Sequence, residues 1–164
     1  MPKAGIKGQT YYNSGTRTTP VWNRARLLRD FTLPISTNEI PVKNKGSQWI
    51  KYLRGLLDVA IDAEADWEPG NPLFEALKTS FFTESIVEIA ILDGGIKQAG
   101  AQGVRAGFIV TKFERGEPLE DVMTLNFSLR LAAEHTHEPE WVTAGTNGTL
   151  TVVAAFQENP ANNP

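Results

Sequence analysis

Residues 56–68 read LLDVAIDAEADWE. Leu57, Val59, Ile61, Ala63, Ala65 and Trp67 fall at odd positions, whereas Asp58, Ala60, Asp62, Glu64, Asp66 and Glu68 fall between them. Successive side chains of an extended strand point to opposite faces, so a strand separates these two sets cleanly and a helix would scatter both around its circumference. The stretch therefore predicts a strand with one side against a core and the other a file of five carboxylates without a lysine or arginine.

The rest of the chain is read around that strand. Residues 1–20 are rich in Gly, Thr, Lys and Asn and read as an N-terminal arm. From 22, WNRARLLRDFTLPI alternates as a strand, with Ala25, Leu27, Phe31, Leu33 and Ile35 on one side and Arg29 breaking it. Residues 36–47 read as a polar loop, and QWIKYLRG as a short separate strand before the acidic one. Asn71 can cap a helix and Pro72 fits its first position. Phe74, Leu77 and Phe81 recur at helical spacing, which predicts a helix of about eleven residues. Strands follow at 85–95 and 104–113, then at DVMTLNFSLRLA, where Met123, Leu125, Phe127, Leu129 and Leu131 form the inward set. Asn147-Gly148 marks a hairpin turn, and QENPANNP at the end reads as disordered. The fold class is mainly β with one short helix. The domain spans 21–143, with 144–164 as a C-terminal extension.

At 164 residues the chain suits one domain with a real core. It has no cysteine, which excludes disulfides, zinc–thiolate sites and thiol catalysis. The net charge of −3 gives no bulk affinity for nucleic acid. No run reaches the roughly 18 apolar residues of a membrane span, and the N-terminus has no apolar signal core, so a cytoplasmic origin is expected. The run GGIKQAGAQGVRAG spaces Gly95 and Gly100 as a phosphate loop does, but Ala101 and Gln102 stand where Lys and Ser/Thr are needed. It reads as a hairpin loop. His135 and His137, flanked by Glu134 and Glu138, supply too few convergent ligands for a metal. Asp62 and Glu64 stand about 7 Å apart by strand geometry, a spacing glycosidases use. Those enzymes, however, take the pair from different elements around a cleft. No cofactor and no catalysis are expected.

The acid file has a bland reading as a solvated strand face. Carboxylates about 7 Å apart in water repel by roughly 0.6 kcal/mol before screening. That is tolerable without a function, yet large enough to favour a neutral residue if nothing selects the charge.

The order of elements resembles the tail tube (major tail) proteins of long-tailed bacteriophages over roughly residues 20–143. The resemblance is carried by LLDVAIDAEADWEPGNPLFEALKTSFF, SIVEIAILDG, GVRAGFIVTKFERGEPLEDVMTLNFSLR and PEWV at 139–142, with Glu117-Pro118-Leu119-Glu120-Asp121 matching a connection of that family. It implies a β-sandwich or partial barrel flanked by a helix. It also implies rings, usually of six subunits, stacked into a hollow tube that encloses the tape measure protein and passes phage DNA without specific binding. Further implied partners are other copies of the chain, the tail terminator and baseplate or tip proteins, with no membrane. The location is the virion, after assembly in the host cytoplasm. On this reading Asp58, Asp62, Glu64 and Asp66 are candidates to line the lumen. The arm and the 36–47 loop, with Tyr11, Tyr12, Lys43 and Lys45, are candidates to reach neighbouring subunits and order on assembly. The rival from another class is a monomeric β-barrel binding a small ligand, with the helix as a lid.

Overall fold

The computed structural model describes residues 1–133 and 138–155. The alternating stretch lies in β4 (Lys51–Asp66), sixteen residues long and about 50 Å at the usual rise per residue. From Ala60 to Asp66 it pairs antiparallel with β7 (Thr124–Leu131). From Val59 back to Lys51 it pairs with β3 (Ile35–Val42) as a hairpin exposed almost throughout. Two expectations are corrected here. QWIKYLRG and the acidic segment belong to one strand, and most of the expected 36–47 loop is a strand. Pro41 misled the reading, but it is tolerated on an edge strand, where it withholds no ladder hydrogen bond.

The strands run β2 (Trp22–Arg24), β1 (Gln9–Asn13), β5 (Val87–Leu92), β6 (Gln102–Gly116), β7, β4, β3, and β8 (Glu140–Ala144) joins β6 to β9 (Leu150–Ala155). The expected long strand from 22 to 35 is present only as β2. Beyond it the chain crosses between the two ends of the curled sheet. The Ala25 amide donates to Thr10 O at 2.8 Å on one end; on the other, the Arg29 amide donates to Glu64 O at 3.0 Å and the Asp66 amide to Leu27 O at 3.1 Å. This crossing makes the sheet a partial barrel. Arg29, the residue that broke the apolar alternation, turns out to the carboxylates while Leu27, Leu28, Phe31 and Leu33 pack on the core.

The helix is α1 (Pro72–Thr83). Asn71 caps it, its side-chain oxygen accepting from the Leu73 amide at 3.0 Å, and Glu84 ends it in the left-handed region at φ 55°. Leu73, Phe74 and Leu77 are buried against β5 and β6. Edge-on ring contacts of Trp67 with Phe74 (4.8 Å) and of Phe74 with Phe113 (5.7 Å) lock the helix to β4 and β6. In β7, Leu125, Phe127 and Leu129 are buried as expected; Met123 lies before the strand and is exposed. Among Tyr12, Leu28, Leu77, Phe127 and Leu129 the barrel interior leaves only about 10 Å³, room for one water at most.

A smaller core of Tyr11, Ala90, Leu92 and Val142 lies on the other face of the sheet, with Trp22, Ile96 and Leu150 packed on it. The ordered sheet thus starts at Gln9, and residues 140–155 belong to it rather than forming an appendage. Their hairpin turns at the expected Asn147-Gly148, with Gly148 at φ 82°. Among the described residues no helix is long and apolar enough to cross a membrane.

Candidate lumen face and assembly surfaces

Pairing of β4, β7 and β6 sets the acids in rows. Asp62 stands opposite Ser128, which stands opposite Lys112; Glu64, Asn126 and Glu114 form the next row, and Asp66, Thr124 and Gly116 the third. Beyond Ala60, Asp58 continues the file opposite Ser36. These side chains lie on the face away from the barrel interior, where Val59, Ile61, Ala63 and Ala65 pack. Asp58 and Asp62 are exposed, Glu64 and Asp66 half-buried. The Ser128 hydroxyl donates to Asp62 at 2.5 Å.

The face is not purely acidic. Arg29 reaches Glu64 and Asp66, each at 2.9 Å, and Asp121 at 3.8 Å. The Asp66 hydrogen bond, helped by the neighbouring carboxylates, raises the Arg29 pKa. Arg130 stands 3.7 Å from Asp62, and Lys112 is 3.0 Å from Glu114. The three bases beside these acids, Arg29, Arg130 and Lys112, are therefore each held by a carboxylate. Sequence reading missed Arg29 and Arg130 as partners of the acids. The one trace of them was the arginine interrupting an otherwise apolar alternation.

Farther along the same face a charge-balanced quartet is half to fully buried. Arg17 lies 3.4 Å from Glu88 and 3.3 Å from Glu140, and Arg105 lies 3.6 Å from Glu88 and 2.5 Å from Glu140. It ties the β1–β2 connection and β8 onto β5 and β6.

The candidate assembly residues separate. Tyr11 and Tyr12 are each 6% exposed and belong to the two cores, so they are corrected from arm to interior. Adjacent residues of a strand face opposite ways, and here each side has a core to fill. Lys43 and Lys45 are exposed at the tip of the β3–β4 hairpin. That hairpin also exposes Ile35, Ile40, Val42, Trp49, Ile50, Tyr52, Leu53, Leu56 and Leu57, with Trp49 at 79% and Leu56 at 91%. So many exposed apolar side chains on one paired hairpin mark an interaction site rather than a solvated loop. Its signal in the sequence is WIKYLRGLL, apolar on both sides of a strand. A register shift beside Asn38 lets the two strands stay paired. Gly55 sits there, where a Cβ would meet the Asn38 carbonyl oxygen at 2.9 Å.

Gly95 and Gly100 lie in the β5–β6 connection, as a loop between strands, and Ala101 is buried there. His135 and His137 lie outside the described residues, as does the final QENPANNP segment. No group of three metal-ligating side chains occurs among the described residues.

A filled barrel, an open charged face and a projecting apolar hairpin define a subunit built to associate with other chains. Residues 12–137 match the phage tail tube protein family, and the chain belongs to it: it is a structural protein of the virion tail. Solved structures share the fold at low identity. The tail of an empty gene transfer agent particle, determined with helical refinement and C6 symmetry, superposes with TM-score 0.66 at 13% identity, covering 93% of this chain and all of that one. The SPP1 tail tube, from solid-state NMR and cryo-EM, gives 0.64 at 11%, covering 88% and 80%. The sheath/tube terminator of an extracellular contractile injection system gives 0.60 at 11%, covering 80% and 94%. A search of curated protein sequences returned no match.

Proposed function

We propose that the chain forms six-membered rings that stack into a hollow tube, with the face bearing Asp58, Asp62, Glu64 and Asp66 toward the lumen. The observation that carries this reading is the β3–β4 hairpin, whose apolar surface a lone subunit cannot bury. The six-fold symmetry is supported by the gene transfer agent tail. Relatives in fold also include a tube terminator and an injection-system baseplate, which supports contacts with such proteins at the tube ends. The tube encloses the tape measure protein during assembly in the host cytoplasm and passes DNA in the virion.

The charge pattern suits a conduit. A free lysine or arginine on the wall would hold phosphate through counterion release. Here Arg29, Lys112 and Arg130, the bases beside the acid file, are each occupied by a carboxylate of the same subunit, and the remaining negative charge, repeated around a ring, repels the DNA backbone. The rival reading of a ligand-binding barrel finds little room between Tyr12, Leu28, Leu77, Phe127 and Leu129, where about 10 Å³ is free. Negative-stain microscopy of the purified protein tests the proposal: hollow rods are expected. A species that stays at 18.0 kDa at every concentration would refute it.

A further inference from the structure

We infer that the tip of the β3–β4 hairpin of one subunit seats on the 116–123 turn of a second copy, head to tail, making the contact between successive rings; this rests on the stacked-ring reading above. The tip is basic and apolar. Residues 42–54 carry Lys43, Lys45, Lys51 and Arg54 and no acid, and among the described residues none of these four makes an ion pair within the subunit. Trp49 and Tyr52 stand out beside them at 79% and 59% exposure.

The 116–123 turn is its complement. It carries Glu117, Glu120 and Asp121 and no base, and it exposes Leu119 at 99% together with Val122 and Met123. Arg115 holds Glu117, and Asp121 stands 3.8 Å from Arg29, so Glu120 is the acid of the turn with no ion pair among the described residues of its own subunit. Charge and apolar surface match in kind on both patches. A large aromatic such as Trp49 is the residue type that anchors an interface.

Placement supplies the direction. Lys51 begins β4, and just past its other end the Trp67 amide donates to Met123 O at 3.0 Å. The two patches therefore lie at opposite ends of one strand about 50 Å long. Two different patches facing opposite ways make a heterologous contact, which propagates into an open stack and does not close on itself. Tip against tip, or turn against turn, sets like charges together and is disfavoured.

Two charge-reversed chains and their combination test this. Lys43→Glu with Lys45→Glu and Lys51→Glu, or Glu117→Lys with Glu120→Lys, should each raise the protein concentration needed for tubes by about tenfold or more, leaving ring-sized particles. All five changes in one chain should restore tubes. Normal tubes from either reversed chain, or a combined chain no better than its parents, would overturn the docking. Carbodiimide coupling of unmodified tubes, read by mass spectrometry, should join Lys43, Lys45 or Lys51 to Glu117 or Glu120 of another copy. Coupling of the tip only to other acids would overturn the partner patch while leaving the tube reading standing, whereas absence of rods from the native chain would sink both.

Discussion

Phe127→Ala addresses the barrel interior directly. Phe127 is 3% exposed, stands opposite Ala63 on β4 and Phe113 on β6, and borders the residual 10 Å³ void. With about 150 Å² of ring removed from water at about 25 cal/mol per Å², its burial contributes about 4 kcal/mol. The range seen for such truncations is about 3–5 kcal/mol, because well-packed sites collapse incompletely. Phe82 is the internal control, since it lies on the same domain at 72% exposure; Phe82→Ala should change stability by no more than about 0.5 kcal/mol. Urea unfolding followed by far-UV circular dichroism, at a concentration too low for assembly, measures both. At a typical slope of about 2 kcal/mol per molar, the Phe127 variant should lose about 2 M in midpoint and the Phe82 variant almost nothing. Equal losses, or a native midpoint for Phe127→Ala, would show that the inward set of β7 does not form the core.

Asp62→Lys replaces an exposed candidate lumen acid without disturbing Arg29; tubes should form and retain DNA at low salt, with release as salt rises, measured by co-sedimentation. The reversal at Glu64 is a poorer probe, because a lysine there faces Arg29, now 2.9 Å from the carboxylate. Gly55→Ala puts a Cβ against the Asn38 carbonyl oxygen; the barrel should melt normally while tube yield falls, and unchanged assembly would show that the register shift is dispensable. Removing residues 2–7 should leave a folded subunit, whereas removing 2–16 should abolish soluble protein by deleting β1 with Tyr11 and Tyr12. Lys3 bonds Asp93 at 2.7 Å. Burial pushes the Asp93 pKa up, but the Lys3 bond and the Gln102 amide outweigh it and lower the carboxyl below its ordinary 3.8. A depressed carboxyl stabilises above its unfolded pKa, so docking of the first residues should hold at neutral pH and loosen only as pH falls below about 4, seen as faster proteolysis of the N-terminus.

Elements with their own local chemistry were legible in the sequence. Asn71 and Pro72 fixed the start of α1, Asn147-Gly148 fixed a turn, and strict alternation identified β7 and the acidic half of β4. Elements whose partners lie elsewhere were not. β1 hides two adjacent tyrosines in a polar stretch because its two faces fill different cores. β3 is poor in core residues because its apolar side chains face outward, so no buried pattern marks it. The acid file was visible residue by residue, but its neutralisation was not. Arg29 and Arg130 reach it from other parts of the chain, and only strand pairing brings them alongside.

The continuity of β4 has a mechanical consequence. The same backbone that forms one arm of the projecting hairpin continues, without a joint, between β7 and the crossing segment of the barrel. A pull on the hairpin is thus directed along the strand axis. The ladder to β7, from Ala60 to Asp66, is loaded in shear, all of its hydrogen bonds at once, instead of opening one pair at a time from an end. In a column held together through this hairpin, as proposed above, the sheared subunit cores are the stronger link, so under tension it should part between subunits before any subunit unravels.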